Sequence, residues 1–418
     1  MPANAINKDG RHHAKLLYIN GFERFDDPAI QDVVGPADLI IVQRNFVHKE
    51  VWDAMDYWRG LHKAVVCDLD DDYPNLPWSN PAHRFWIQNA SGAPTAPIEL
   101  LTAGLRHANA LIAPSKVLLN DWKDVVFGVH VPNYAEWKWF RDLKPRKPDE
   151  KIVIGWGGSV SHYDSWWFSE IRPAIERLCR EDKRVHVLIC GNDERILEQL
   201  DIAPEQKLSQ GGVPAEKWPR IVATFDIGVA PLDARDGDKS YDFRRSWIKC
   251  LEYNLAQVPW IATKCPVYAD FAPYGILTEN TAEDWYNGLK LTVDNLAEAK
   301  HAAHRHRKFG VSLTLERNVD NLILAYNKIQ TLALPELPSV FYVNWDGRKT
   351  PKSLDDKEKP KRLPEERLSH IQRAAMRAAE GWGEIVVGEI NIAKAMKYDI
   401  VQRLNEGLLG EHEQVNSA

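Results

Sequence analysis

The chain has 418 residues, with 53 basic and 59 acidic side chains and a formal net charge of −6. It is too long for one ordinary core, which predicts two domains and an appendage. Its interspersed charges exclude a global nucleic-acid footprint. Five scattered cysteines (Cys67, Cys179, Cys190, Cys250, Cys265) make no CxxC pair or zinc spacing, so a reducing compartment fits best. The stretch from Met1 to Lys15 is polar and has no signal-peptide core, and no run is long enough to span a membrane. A cytoplasmic protein is expected, and peripheral membrane association is compatible with that.

In the first 140 residues short apolar runs alternate with helical spacing. Strands are predicted at Lys15 to Ile19, Asp38 to Gln43, Ala64 to Cys67, Ala110 to Ala113 and Phe127 to Val131. Helices are predicted at Val47 to Leu61, Pro97 to Ala108 and Lys116 to Trp122. Such βα alternation implies a doubly wound parallel sheet. Residues 1–143 would form this first domain, and the Pro- and charge-rich stretch 144–151 a linker.

A second βα series begins at Ile152 to Trp156, a predicted strand followed by a helix over Trp166 to Arg180. Next come a strand at Val185 to Cys190, a helix at Glu216 to Thr224, and strands within Phe225 to Leu232, Val258 to Thr263 and Gly275 to Leu277. Two or three helices then fill Ala282 to Leu334. Residues 152–334 thus read as a second domain, and Leu313 to Ile329 as a helix crossing back to the first. The remainder, 335–418, is a charged, Pro-rich linker and an amphipathic helical tail, with packing on the chain's own surface and self-association as the two alternatives.

The most informative stretch runs from Thr224 to Thr263, as buried strand, polar loop, helix and buried strand. The helix is expected to open at Arg244, Arg245 and Ser246 and to carry Lys249 and, nearly one turn later, Glu252. A helix N-terminus offers free N–H groups and partial positive charge, so phosphate is its natural guest. Glu252 is placed to accept hydrogen bonds from ribose hydroxyls. The bland alternative is an ordinary βαβ crossover with solvated charges. A second signal is Ile152-Val-Ile-Gly-Trp-Gly-Gly-Ser159, followed by His162 and Asp164. Glycines directly after a strand let backbone approach a ligand, though their spacing is not the GxGxxG dinucleotide fingerprint. In the first domain, Val65-Val-Cys-Asp-Leu-Asp-Asp-Asp72 ends a strand in carboxylates, and Arg44 ends another. Both strand ends belong at a ligand crevice.

These residues resemble the GT-B glycosyltransferases, specifically the retaining family-four group, whose common form is KSxxKxLEYxAxGxPVIAT. The match is Arg245-Ser246, Lys249, Leu251-Glu252-Tyr253, Pro259 and Ile261-Ala262-Thr263; Ile154-Gly-Trp-Gly-Gly-Ser159 is similar to the IGWxGS opening of the donor domain. Arg44, the VxDxDDD run, Ala113-Pro114-Ser115 and Val131-Pro132-Asn133 also resemble that group, with Tyr134 in place of its usual glycine. The resemblance implies an α/β GT-B fold, two Rossmann-like doubly wound domains facing a cleft. It also implies a nucleotide-diphosphate sugar co-substrate, a UDP- or GDP-sugar first among them, and transfer with retention and without metal.

Candidate donor-binding residues are then Gly157, Gly158, Ser159, Ser246, Lys249 and Glu252. Candidate catalytic residues are Arg244, Arg245, Asp70 and His162, and candidate acceptor-binding residues are Arg44 and Asp71. Two departures stand out. The Arg and Lys that many relatives carry after the first donor-domain strand are missing. The first Glu of their E-x7-E motif is replaced by Arg244, so Arg244 and Arg245 are expected to take over the diphosphate clamp. The acceptor implied is a surface or lipid-linked glycan, with a modified DNA base as the alternative, served by a basic patch within Lys349 to Arg367. A nucleotide-sugar epimerase and a non-catalytic GT-B scaffold are the competing functions. His301 to Lys308 is read as a solvated helix face. The 16 tryptophans are either sugar-stacking or core residues.

Overall fold

The structure is a computed structural model and describes residues 2–90, 92–158, 162–191 and 195–333. Two parallel sheets organise these residues. The first contains β1 (Leu39–Gln43), β2 (Ala64–Asp68), β3 (Ala110–Ala113) and β4 (Gly128–His130), in that spatial order. The second contains β5 (Ile152–Gly157), β6 (Val185–Cys190), β7 (Lys207–Gln210), β8 (Ile227–Ala230), β9 (Trp260–Thr263) and β10 (Ile276–Thr278), ordered β10-β9-β8-β5-β6-β7. Strands β3, β5, β8 and β9 are buried at every residue. That is why their sequences are continuous apolar runs rather than alternating ones.

Helices cover the sheets by the usual spacing. Lys49–Gly60 buries Val51, Ala54, Met55 and Trp58, one apolar stripe facing the first core. The C-terminal helix, Val319–Gln330, returns to the first sheet and buries Ile329 beside Ala64, Val66 and Ile112. This is the crossing helix expected from the sequence. Among the described residues no helix is long and apolar enough to cross a membrane.

The domains interlock. Ala135 and Phe140 sit in a core built mainly from second-domain residues, while Tyr241 enters the core of the first domain. The carboxylate of Asp226 fastens the connecting segment. It accepts hydrogen bonds from the Val153 amide (2.8 Å) and from Arg146 Nε (3.0 Å), and it pairs with Lys300 of helix Leu296–Ser312.

Three expectations need correction. Lys15 to Ile19 is not a strand: residues 13–18 are irregular and a short helix begins at Ile19. Trp166 to Arg180 is two helices, Tyr163–Trp167 and Ile171–Glu181. Between them Glu170 adopts a left-handed φ of 59° and Ser169 Oγ donates to Trp166 O. The polar start folds as a helix, Pro2–Asp9, where no element was expected. The tail assigned to 335–418 lies outside the described residues.

Candidate active site

In the second sheet the chain winds outward in opposite directions from β5 and β8. Their carboxyl ends therefore flank the switch point where open parallel sheets bind ligands. Gly157 and Gly158 follow directly from β5. A Cβ on Gly157 would lie 2.1 Å from the Trp218 ring, so only glycine lets that indole cover the strand end. Trp218 Nε1 in turn donates to Glu252 Oε2 at 2.8 Å, and Lys249 Nζ donates to the Gly157 carbonyl. Helix Ile248–Ala256 is thus held against the end of β5 by the two residues the sequence singled out on it.

The helix starts later than expected. Tyr241–Arg244 is a 3-10 turn, Arg245 is extended, and the N-cap is Trp247. The cause is local: Ser240 Oγ accepts from the Asp242 amide, and the Asp242 carboxylate is engaged by the Asp233 amide at 2.7 Å and by Arg245 Nε at 3.1 Å. Chain that would otherwise continue the helix is pinned as a turn, and the arginines precede the N-terminus instead of forming it.

Arg245 is the centre of the cluster. Its guanidinium is buried, donates to the Tyr241 hydroxyl at 3.2 Å, and donates through Nη1 to the His162 imidazole. Asp71 of the opposite domain lies 4.0 Å from its Nε. Burial holds His162 well below its usual pKa, and the charges of Arg245 and Lys249 push it the same way, so the ring is neutral and accepts. Burial lowers Lys249 to about 8, opposed by Glu252 and assisted by Arg245. Burial also raises Glu252 to about 7 against the Trp218 hydrogen bond and Lys249. Asp71 and Asp242 are both raised by burial, with Arg245 opposing. A buried guanidinium and a desolvated ammonium thus stand together at the switch point.

Arg244 behaves differently. Its Nε lies 2.9 Å from Asp121 and 3.5 Å from Asp72, and Nη1 donates to the carbonyls of Asp238 and Ser240. The guanidinium joins the two domains, with its Nε and Nη1 engaged there by Asp121, Asp72 and two carbonyls. Ser246 Oγ accepts from Asn133 Nδ2 at 3.1 Å, a second link across the cleft. Ser159 lies outside the described residues.

On the first-domain wall, Arg44 ends β1 with a left-handed φ of 61°, and its amide donates to Asp68 O at 3.1 Å. Its Nε stands 3.9 Å from Asp70 Oδ1, the same oxygen that accepts from the Tyr73 hydroxyl at 2.9 Å. Burial, with the neighbouring Asp70 charge, raises Asp68 to about 6. The structure therefore brings Asp71, His162, Arg245, Lys249 and Glu252 into one crevice and sets Arg44 and Asp70 on its facing wall. Sequence reasoning missed Tyr241, Asp242 and Trp218. Asp242 alone carried a signal, three residues before Arg245.

The histidines of His301 to Lys308 are partly engaged: His304 meets Gln257 at 2.6 Å and His306 meets the Tyr274 carbonyl at 3.1 Å. The face is otherwise solvated, with His301, His304, Arg305 and Lys308 exposed. Among the described residues no group of three His, Cys, Asp or Glu side chains is placed to hold a metal ion.

No protein-family profile matches the chain, and no curated protein matches it. Solved structures do. A UDP-forming α,α-trehalose-phosphate synthase from Burkholderia xenovorans is 13% identical over 72% of this chain and 76% of its own, with a TM-score of 0.49. HepE from Anabaena, in complex with UDP-glucose, is 12% identical over 71% and 80%, with a TM-score of 0.46. TarM, a protein of S. aureus, is 12% identical over 69% of this chain, with a TM-score of 0.48; the match spans 54% of TarM, about half its length. Two facing parallel-sheet domains, a switch-point crevice between them and a C-terminal helix that returns to the first domain make this chain a GT-B fold.

Proposed function

We propose that the protein is a glycosyltransferase that moves a sugar from a nucleotide-diphosphate donor to an acceptor hydroxyl, with retention and without a metal ion. The observation that carries this is the Arg245–Lys249 pair beside the N-terminus of helix Ile248–Ala256, facing the Gly157–Gly158 end of β5. A diphosphate bound there meets two cations and free helical N–H groups. The bond from the anomeric carbon to the diphosphate oxygen breaks, and the acceptor oxygen forms its bond on the same face. The departing phosphate takes the acceptor's proton. Arg245 and Lys249 stabilise the charge growing on that phosphate, His162 orients Arg245, and Glu252 receives the ribose. Arg44 and Asp70 position the acceptor, a surface or lipid-linked glycan, with a DNA base as the competing class.

The test is unfolding temperature against UDP, GDP, ADP, TDP and CMP, each with and without magnesium. A nucleotide at 100 times its Kd stabilises by about 2.7 kcal/mol. A shift with one diphosphate, unchanged by magnesium, is expected; no shift with any would sink the donor site. Release of free nucleotide from the matching sugar donor then separates an enzyme from a non-catalytic scaffold, the reading that Arg244 favours by standing in for a motif Glu while tied to Asp72 and Asp121.

Nucleotide affinity should depend on pH through Lys249. Phosphate binds the ammonium form, and that form is lost as pH rises through about 8 in the free protein. Kd should therefore weaken by up to ~10-fold per unit from there upward, because a proton must be taken up on binding. Titrations at pH 7, 8 and 9 measure this, and Lys249→Met should remove the slope. A slope that survives Lys249→Met would assign the dependence elsewhere.

A further inference from the structure

β1 is an edge strand, and one side of it is open. Asp38 O accepts from the Ala64 amide and the Arg44 amide donates to Asp68 O, so these residues face β2. Peptide groups alternate sides along a strand, which points the backbone groups of Leu39, Ile41 and Gln43 away from β2. Among the described residues no strand pairs with that side. A free row of amides and carbonyls is a template for another strand.

Beside this edge runs a groove of about 1630 Å³. Helix Pro28–Val34 borders it on one face through Val33 and Val34, and helix Val319–Gln330 borders it on the other through Ile323 and Tyr326. A slot with a free strand edge at its back and a helix on either face has the shape of a missing strand in a doubly covered sheet. Along its rim lie Leu16, Leu17 and Tyr18, in no sheet and exposed, Leu16 by 74% and Tyr18 by 87%, with the Tyr18 carbonyl accepting from the Gly21 amide at the start of helix Ile19–Phe22. They belong to the apolar run Leu16-Leu-Tyr-Ile19, continuous in the way a strand buried on both faces requires. Residues 19–38, twenty in all, separate Tyr18 from β1 and contain two helices, enough for a parallel crossover.

We infer that residues 15–18 dock on the free edge of β1 as a fifth parallel strand, Leu17 opposite Ile41, with helix Ile19–Phe22 following directly, and that the structure shows the segment undocked. Docking fills the groove and pairs the open edge. Asp70 and Glu252 line the same groove, so it also closes a solvent path to the rear of the active-site crevice. The inference concerns the sheet and stands whether or not the protein transfers sugar.

The test is amide hydrogen exchange of the full chain, resolved by residue. If the strand docks in this register, the amides of Leu16 and Tyr18, which point at β1, and those of Ile41 and Gln43 should exchange slower than free peptide by at least ~100-fold. Leu16→Pro removes an amide aimed at β1 and cannot sit in that ladder, so it should return Tyr18, Ile41 and Gln43 together to near free-peptide rates while Val42 and Val66 stay slow. Free-peptide exchange at Leu16 and Tyr18 in the wild-type chain overturns the inference. So does protection of Ile41 and Gln43 that persists in Leu16→Pro, which would mean that residues beyond Ala333 or a second copy cover the edge. Should Leu16→Pro not fold, Leu17→Cys with Ile41→Cys replaces it. Adjacent strands lie within disulfide reach, and the five native cysteines are buried. A cross-link forming on mild oxidation supports docking, and two persistently free new thiols overturn it.

Discussion

Arg245→Lys should lower the rate of sugar transfer by about 10²-fold or more while shifting the unfolding temperature little. The magnitude follows from removing a positioned donor of transition-state charge stabilisation. The native guanidinium spends its fork on several partners at once: Asp242 at 3.1 Å, the Tyr241 hydroxyl at 3.2 Å, and the His162 ring. Lysine keeps the charge that balances the buried Asp71 and Asp242, so the fold retains its compensation. It cannot supply several directed N–H bonds in one plane, so orientation is lost. Arg245→Ala is the less informative change, because it leaves two buried carboxylates without their cation and confounds turnover with stability. The measurement is kcat and KM with the matching donor, beside a thermal melt. A kcat unchanged in Arg245→Lys would remove this residue from the reaction, and a collapsed melt would make it structural.

Asp226→Ala should destabilise the protein by about 3–5 kcal/mol, the range for breaking a buried ion pair from one side. The side chain is 1% exposed, and its removal strands Arg146, Lys300 and the Val153 amide together. Arg146 retains Asp149 as a partner, so the effect should fall nearer the lower bound. Asp226→Asn keeps an acceptor for the Val153 amide and should lose less. Denaturant midpoints of the three proteins give the comparison. Equal midpoints for Asp226→Ala and wild type would show that the junction contributes nothing to stability.

Much of this was legible in the sequence, and the reason differs by element. β3 and β6 were read to the residue, and β5 and β9 nearly so, because doubly covered parallel strands write themselves as unbroken apolar runs. The meeting of Gly157, Lys249 and Glu252 was legible because each sits at the end of a strand or the start of the following helix, where βα topology forces convergence. The pairing of Arg244 with Asp121 was not legible because the two lie 123 positions apart, and no local pattern reports such a contact. The helix start was misplaced because Asp242 holds Arg245 in a turn by a local ion pair and accepts from the Asp233 amide, contacts that override helical spacing. Lys15 to Ile19 has the composition of a strand, but composition does not report pairing: residues 13–18 are irregular, Ile19 opens a helix, and only docking on the free β1 edge would make the run a strand.

Tyr241 packs among the interior residues of the first domain although the chain reaches it only after threading about half of the second. Severing the polypeptide between the sheets would therefore leave one half with a hole and the other with a stranded ring. Assembly of the interdomain crevice and completion of the first interior are one event. During synthesis the amino-terminal half must wait, incompletely filled, until residue 241 has left the ribosome, so a truncated product would present apolar surface to quality-control machinery rather than persist as an idle, well-folded fragment.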